Sequence, residues 1–392
     1  MSEQSQTQQQ EPEKPAQSYL SRVRLKGYKS IIDTEVTFKP GLNIIIGANG
    51  SGKTNFVEFL KALLSGEFDK LFEKCSAIIN TNINNKKIEY NFERKPRKLK
   101  NLDKLILINK EELYIDGKFQ TFSEDFPIEF HSDWSNFLYP SYVTYNVPKE
   151  FQNIGNFIKL QYDITYHSDG IFFLNKLSDF SLTQGLARLS DSIFLENIQD
   201  YIFIKNLPFP QKLDLIPLYF KDNLKKFSPV KNIRLADAFL IDNQQERWTV
   251  DYIRFEFFVN DQWLTWNQLS DGTKRMFYII TEVTFANNVV LLEEPELGIH
   301  PDQLRKLLSF LREQAETKQI IITTHSPQVL NALKSDELDR IIIARYEKEA
   351  GTKLYHLTEA EMEHARSYMH DEGLFLSDYW VYSGFEKEEE AV

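Results

Sequence analysis

The sequence predicts an α/β protein: a mainly parallel sheet built around a glycine-rich loop, joined to an antiparallel β portion and interrupted by an inserted lobe of mixed, partly helical texture. Three observations carry this. An apolar strand runs directly into a glycine-rich loop and an amphipathic helix over 42–64. Strands alternate with helices again after residue 273, the pattern of a covered parallel sheet. Between the two, short alternating runs are separated by turn residues, as in hairpins.

Residues 1–18 are polar, rich in Gln and Glu, and lack the basic start and apolar stretch of a secretory leader, so a disordered tail is expected. Arg22 to Lys26 and Ile32 to Phe38 read as strands, with Pro40-Gly41 as the turn before the apolar strand Leu42 to Ile46. The helix behind the loop carries Val57, Leu60 and Leu64 at helical spacing and would stop at Gly66. The expected insert covers 67–229. In it Asn84-Asn85 and Asp116-Gly117 are turn signals beside the alternating runs Lys87 to Phe92 and Leu113 to Phe119, and Leu186 to Tyr201 is a helical piece.

The first domain then resumes, so that 19–66 and 230–385 form one split unit, with 386–392 as an acidic, solubilising tail. A hairpin, Tyr252 to Val259 and Gln262 to Trp266, turns about Asn260-Asp261. A helix from Thr273 to about Ala286 presents Met276, Ile280 and Val283 on one face and leads to the strand Val289 to Leu292. Pro301 begins a helix striped with Leu304, Leu307, Leu308 and Leu311, and Lys318 to Thr323 is the next strand. Ser326-Pro327 caps a further helix; the strand Arg340 to Ala344 and a capping box of Thr358 and Glu361 close the pattern.

Bulk properties exclude several classes. A single cysteine, Cys75, leaves no internal disulfide, which fits a reducing compartment and a cytoplasmic location. No apolar run approaches the roughly 18 to 20 residues of a membrane span. A formal net charge of −11 argues against nucleic-acid binding over the whole surface, so any DNA or RNA contact must be local. The basic cluster Arg94, Lys95, Arg97, Lys98 and Lys100, with Lys104 behind it, is read as a solvated hairpin edge, with phosphate contact as the alternative.

Four short strings carry chemistry. Gly47-Ala48-Asn49-Gly50-Ser51-Gly52-Lys53-Thr54 fits the phosphate-loop pattern at every defined position. Its glycines let successive N–H groups face phosphate oxygens, Lys53 would reach the β and γ phosphates, and the Thr54 hydroxyl would bind Mg²⁺. Val289 to Leu292 ends in Glu293-Glu294-Pro295; Glu293 would join the Mg²⁺ shell and Glu294 would orient the attacking water. Ser270 and the Gly272 N–H, just before a helix, would form either an anion site that a partner's γ-phosphate could fill or an ordinary helix N-cap. His325 follows an apolar strand, where its imidazole could donate to the γ-phosphate.

These motifs, in this order, resemble the ABC ATPase superfamily, and Glu-Glu-Pro-Glu-Leu-Gly-Ile-His-Pro over 293–301 is similar to the SMC, RecF and OLD-like branch. The resemblance implies an ATPase head that dimerises around two ATP-Mg²⁺, each held by one subunit's loop and the other's signature around Ser270 and Gly272. It implies an ATP-hydrolysing switch controlling a separately encoded effector, in antiphage defence or DNA maintenance. A scaffold with negligible hydrolysis and a RecF-like repair ATPase that binds DNA directly are the alternatives. The opening strand also resembles that branch, which would bring Tyr28 to Ser30 to the nucleotide. Glu293 replaces the usual Asp, His300 stands where transporters have an aspartate, and no glutamine loop is identifiable, Gln152 being a possibility. The insert lacks heptads for a coiled coil, and the chain has no Asp-x-Asp of an OLD nuclease. Gly373 to Phe385 is similar to the ending of stand-alone ATPases.

Overall fold

The longest uninterrupted apolar strands are those covered on both faces. The computed structural model describes residues 19–64, 74–83, 86–98, 105–119, 165–167, 218–235, 240–244, 247–251, 255–285, 289–371 and 373–383. In it β3 (Leu42–Ile46), β14 (Val289–Glu293) and β15 (Gln319–Thr324) are buried at every position. Burial on both faces is what permits runs such as Leu-Asn-Ile-Ile-Ile without polar alternation. Ile44 and Ile46 face one hydrophobic core and Ile45 the other. The phosphate-loop helix α1 (Lys53–Leu64) contributes Phe56, Val57, Phe59 and Leu60 to the second core.

The first core is helical. It gathers α2 (Leu218–Phe227), α3 (Asp271–Phe285) and α4 (Pro301–Gln314), together with α5 (Glu359–Asp371) and α6 (Leu376–Ser383). The stripe foreseen in α4 is buried as expected, and Phe310 joins it.

One sheet of twelve strands runs through the described residues, in the order β7-β6-β5-β4-β1-β2-β17-β16-β3-β15-β14-β8. Five neighbours at one end are parallel: β16 (Ile341–Glu347), β3, β15, β14 and β8 (Thr165–His167). The rest pair antiparallel: β17 (Gly351–His356), β2 (Ile31–Thr37), β1 (Tyr19–Tyr28), β4 (Cys75–Ile83), β5 (Lys86–Lys98), β6 (Leu105–Ile115) and β7 (Lys118–Phe119). A three-stranded sheet joins β9 (Asn232–Leu235), β12 (Phe255–Val259) and β13 (Gln262–Thr265), and β10 (Leu240–Gln244) pairs with β11 (Arg247–Asp251).

The parallel and antiparallel portions are thus one continuous sheet. Within the span 67–229, the described strands β4 to β7 extend the antiparallel portion, because β4 satisfies the free edge of β1 from Tyr19↔Asn82 to Lys26↔Ser76. Strand β8 adds to the parallel end, and α2 sends Leu224 and Phe227 into the core, where Phe227 meets Phe310 at 5.3 Å. The helical piece Leu186 to Tyr201, the turn Asn84-Asn85, Gln152, Lys100, Lys104 and both tails lie outside the described residues.

Several local expectations change. Strand β5 is paired on both sides only as far as Arg94, which is buried, while Lys95 pairs with Glu93 at 2.5 Å. From Lys95 to Lys98 the strand pairs with β6 alone, so this part of the basic run lies on a hairpin edge as expected, whereas Arg94 does not. Pro327–Ala332 is a 3₁₀ stretch that ends in extended backbone at Leu333, instead of an α-helix. The β16–β17 hairpin was not anticipated. The Asn260-Asp261 turn is as expected, with φ of 49° and 61°, the left-handed pair a tight hairpin requires. No helix among the described residues is long and apolar enough to cross a membrane.

Candidate functional site

Parallel pairing brings three strand ends to one edge. Glu293 on β14 is level with Thr323 on β15, and Thr324 is level with Ile46 on β3. The glycine loop, the acid pair and His325 therefore leave the sheet side by side at its carboxyl edge, where open α/β sheets hold their ligands.

The loop is fitted to its surroundings at two glycines. A methyl on Gly47 would lie 2.2 Å from the Ala344 carbonyl oxygen on β16, and one on Gly52 would lie 1.9 Å from Thr352 Oγ1 on β17. Lys53 is buried, its Nζ donating to the carbonyls of Gly47 at 2.7 Å and Ala48 at 3.0 Å, with Ser51 Oγ at 3.4 Å. The Thr54 hydroxyl donates to Glu293 Oε1. A hydroxyl beside a carboxylate is an all-oxygen donor pair of the kind Mg²⁺ accepts while retaining waters and phosphate oxygens.

Glu294 has its backbone in the left-handed region, φ 45°. Its N–H donates to Thr323 O at 2.8 Å, and its Oε1 lies 3.2 Å from His325 Nδ1. One turn further, Glu296 accepts from the Thr324 hydroxyl, and burial pushes its carboxyl above the usual carboxylate range. Thr324 Oγ1 in turn accepts from the Ser326 N–H at 2.9 Å, so the histidine turn hangs on the same hydroxyl.

Ser270 is exposed ahead of α3. Its Oγ accepts from the Thr273 N–H at 3.2 Å and lies 2.8 Å from Thr273 Oγ1, an N-cap arrangement that leaves the helix start open to an anion. A methyl on Gly272 would lie 2.8 Å from Gly298 O.

Of the expected residues, Gly47, Asn49, Gly50, Ser51, Gly52, Lys53, Thr54, Glu293, Glu294 and His325 share the sheet edge, whereas Ser270 and Gly272 mark the neighbouring helix start. Tyr28 does not reach the loop surface: it is buried and stacks on Phe59 at 4.8 Å. Ser30 lies against the loop, bonded to Asn55 at 2.6 Å and to Thr352 at 2.7 Å. His300 caps α4. Arg275, Glu296 and Thr352 were not foreseen. Two left a trace in the sequence, Arg275 as a cation one turn into the helix behind Ser270 and Glu296 as the third acid of the string over 293–301.

The model of the family described as "AAA domain, putative AbiEii toxin, Type IV TA system" matches residues 42–331, from the first residue of β3 to the 3₁₀ stretch behind His325. The Septu protein PtuA of Bacillus thuringiensis is 23% identical over 338 residues, covering 81% of this chain and 74% of that protein. The DNA replication and repair protein RecF of Ligilactobacillus salivarius is 31% identical over 94 residues, covering 21% of this chain and 25% of that protein. Short matches of this kind span from 4% to 25% of the relatives' own length. Among solved structures, an Smc head bound to the C-terminal winged-helix domain of ScpA superposes with a TM-score of 0.54 at 14% identity, covering 88% of this chain and 99% of that one. That likeness shows the fold, an ABC-type head with a large mixed sheet.

Proposed function

The chain belongs to the AAA-domain family matched over 42–331, on the SMC and RecF-like side of the ABC ATPases, and from that premise we propose an ATP- and Mg²⁺-dependent switch that pairs two heads around two nucleotides and hydrolyses them. The observation that carries this is the meeting of Thr54 with Glu293, and of Glu294 with His325 at 3.2 Å, on one sheet edge beside the glycine loop.

In this reading the N–H groups of the loop and the start of α1 bind the β and γ phosphates, and Lys53 exchanges its carbonyl partners for phosphate oxygens. Thr54 and Glu293 would hold Mg²⁺, which would supply neutralisation of phosphate charge. Glu294 accepts a hydrogen bond from the attacking water, and His325 holds Glu294 and senses the γ-phosphate. Ser270 and Gly272 of the partner subunit complete the site from across the pair. Hydrolysis removes the bridging phosphate and the pair reopens, which an associated protein can read.

Similarity to a Septu protein over most of the chain favours a role in defence, and similarity to RecF keeps DNA maintenance as the second setting. The relative whose head carries a ScpA domain supports a separately encoded partner that docks on the head. DNA or RNA would be a trigger and not a whole-surface ligand, given the net charge of −11.

Turnover and binding together test the proposal. Glu294→Gln should keep ATP-Mg²⁺ binding and lose about a hundredfold or more in turnover, whereas Lys53→Ala should lose binding. Equal and negligible turnover in wild type and Glu294→Gln would favour a scaffold instead.

A further inference from the structure

Two contacts fasten the start of α3 to the turn that follows β14. Arg275 Nη2 donates to the Glu294 carbonyl at 2.7 Å and reaches the Glu293 carbonyl at 3.5 Å. Gly272 packs so closely on Gly298 that a methyl group would come within 2.8 Å of its carbonyl oxygen. The Glu294 carbonyl also accepts from the Leu297 N–H at 3.1 Å, while the Glu294 N–H is taken by Thr323 at 2.8 Å. The left-handed peptide of Glu294 is thus pinned on one side by β15 and on the other by the signature helix. Such a conformation persists in a residue with a side chain only where the surroundings over-determine it.

We propose that Arg275 is a positioning residue that transmits occupancy of the signature to the acid turn of the same chain: a partner's nucleotide seated on Ser270 and Gly272 sets Glu294 of the chain that reads it. This rests on the composite-site reading above. Its consequence is that the two sites of a pair fire together. Each chain's acids serve its own loop, whereas its signature serves the other loop, so neither acid pair is aligned until both nucleotides are in place. A displacement of the helix start by a fraction of an ångström would be felt at once, because a guanidinium bonded to a carbonyl and a glycine packed on a carbonyl leave no slack.

Arg275→Gln should leave the nucleotide Kd and ATP-dependent pairing within about twofold of wild type and lower kcat roughly tenfold or more, since misaligned catalytic groups cost rate and not binding. Arg275→Lys, which can still donate to one of the carbonyls, should recover to within roughly threefold. A Gln variant with wild-type kcat would overturn the assignment.

A second measurement leaves Arg275 in place. Lys53→Ala and Ser270→Arg chains are mixed with ATP-Mg²⁺, giving mixed pairs with one complete nucleotide site. The acids facing that nucleotide belong to the Ser270→Arg chain, whose own signature is blocked. The link predicts ATP-dependent mixed pairs, seen by capture of differently tagged chains, that turn over less than about a twentieth of the wild-type rate. Independent sites predict about half, since neither parent chain pairs with itself and every mixed pair carries one working site of two. A rate near half overturns the link. Failure of mixed pairs to form overturns the composite-site reading beneath it, and the proposal with it.

Discussion

Gly52 bears the tightest steric demand in the loop. Its φ is 93°, and a methyl there would lie 1.9 Å from the Thr352 hydroxyl and 2.8 Å from that of Ser30. Those hydroxyls are bonded to each other, and Asn55 holds Ser30, so none of them can step aside alone. Gly52→Ala should therefore cost about 2–3 kcal/mol in urea unfolding and weaken ATP binding at least tenfold. Gly50→Ala has an equally unfavourable φ of 84° but open space around it, and should cost only about 1 kcal/mol. Equal midpoints for the two variants would remove the steric account. The residues legible in the sequence were those whose chemistry is written in a short string at a strand end: the loop, the acid pair, His325. Those missed have partners far along the chain. Arg275 meets a carbonyl 19 positions on, Thr324 a carboxylate 28 positions back, and Thr352 a hydroxyl 322 positions back. No local pattern encodes such pairings.

Helix α3, which connects the signature to the core, ends against a buried cation. Lys318 Nζ donates to Val283 O at 2.7 Å and Thr284 O at 3.4 Å, carbonyls of the last turn that have no partner within the helix. Burial pushes its ammonium down from 10.5 to about 8. Between those values the unfolded chain still holds a proton that the folded chain has released, so stability rises with pH across that window. Wild type should accordingly gain on the order of 3 kcal/mol relative to Lys318→Met on going from pH 7.5 to pH 10.5. A flat difference in denaturation midpoints would show that the ammonium is solvated. The strands and helices of the parallel half were legible because covered strands are uniformly apolar and covered helices are striped. Alternation identifies a strand but not the sheet it joins, which is why β4 to β7 read as part of an insert. In β17, Gly351 and Lys353 break the apolar rhythm of a run that is half covered, and the hairpin it forms with β16 went unseen.

At the scale of the molecule, the continuous sheet makes the nucleotide edge and the antiparallel portion one body, so binding energy gained at the edge stabilises the whole head. A ligand that binds only the folded chain raises its stability by mass action, about 4 kcal/mol at a thousandfold excess over Kd. If the nucleotide is also sealed by a second head, that gain must grow with protein concentration, because the species being stabilised is a pair. With hydrolysis blocked by Glu294→Gln, ATP-Mg²⁺ should raise Tm, and the rise should increase by a few degrees for each tenfold rise in protein concentration. Ser270→Arg added to that chain should keep the shift from nucleotide binding and lose its concentration dependence. Lys53→Ala should show no shift at all. A nucleotide-induced Tm rise that is the same at low and high protein concentration would mean that a single head holds ATP alone, and that the exposed helix start at Ser270 serves some purpose other than pairing.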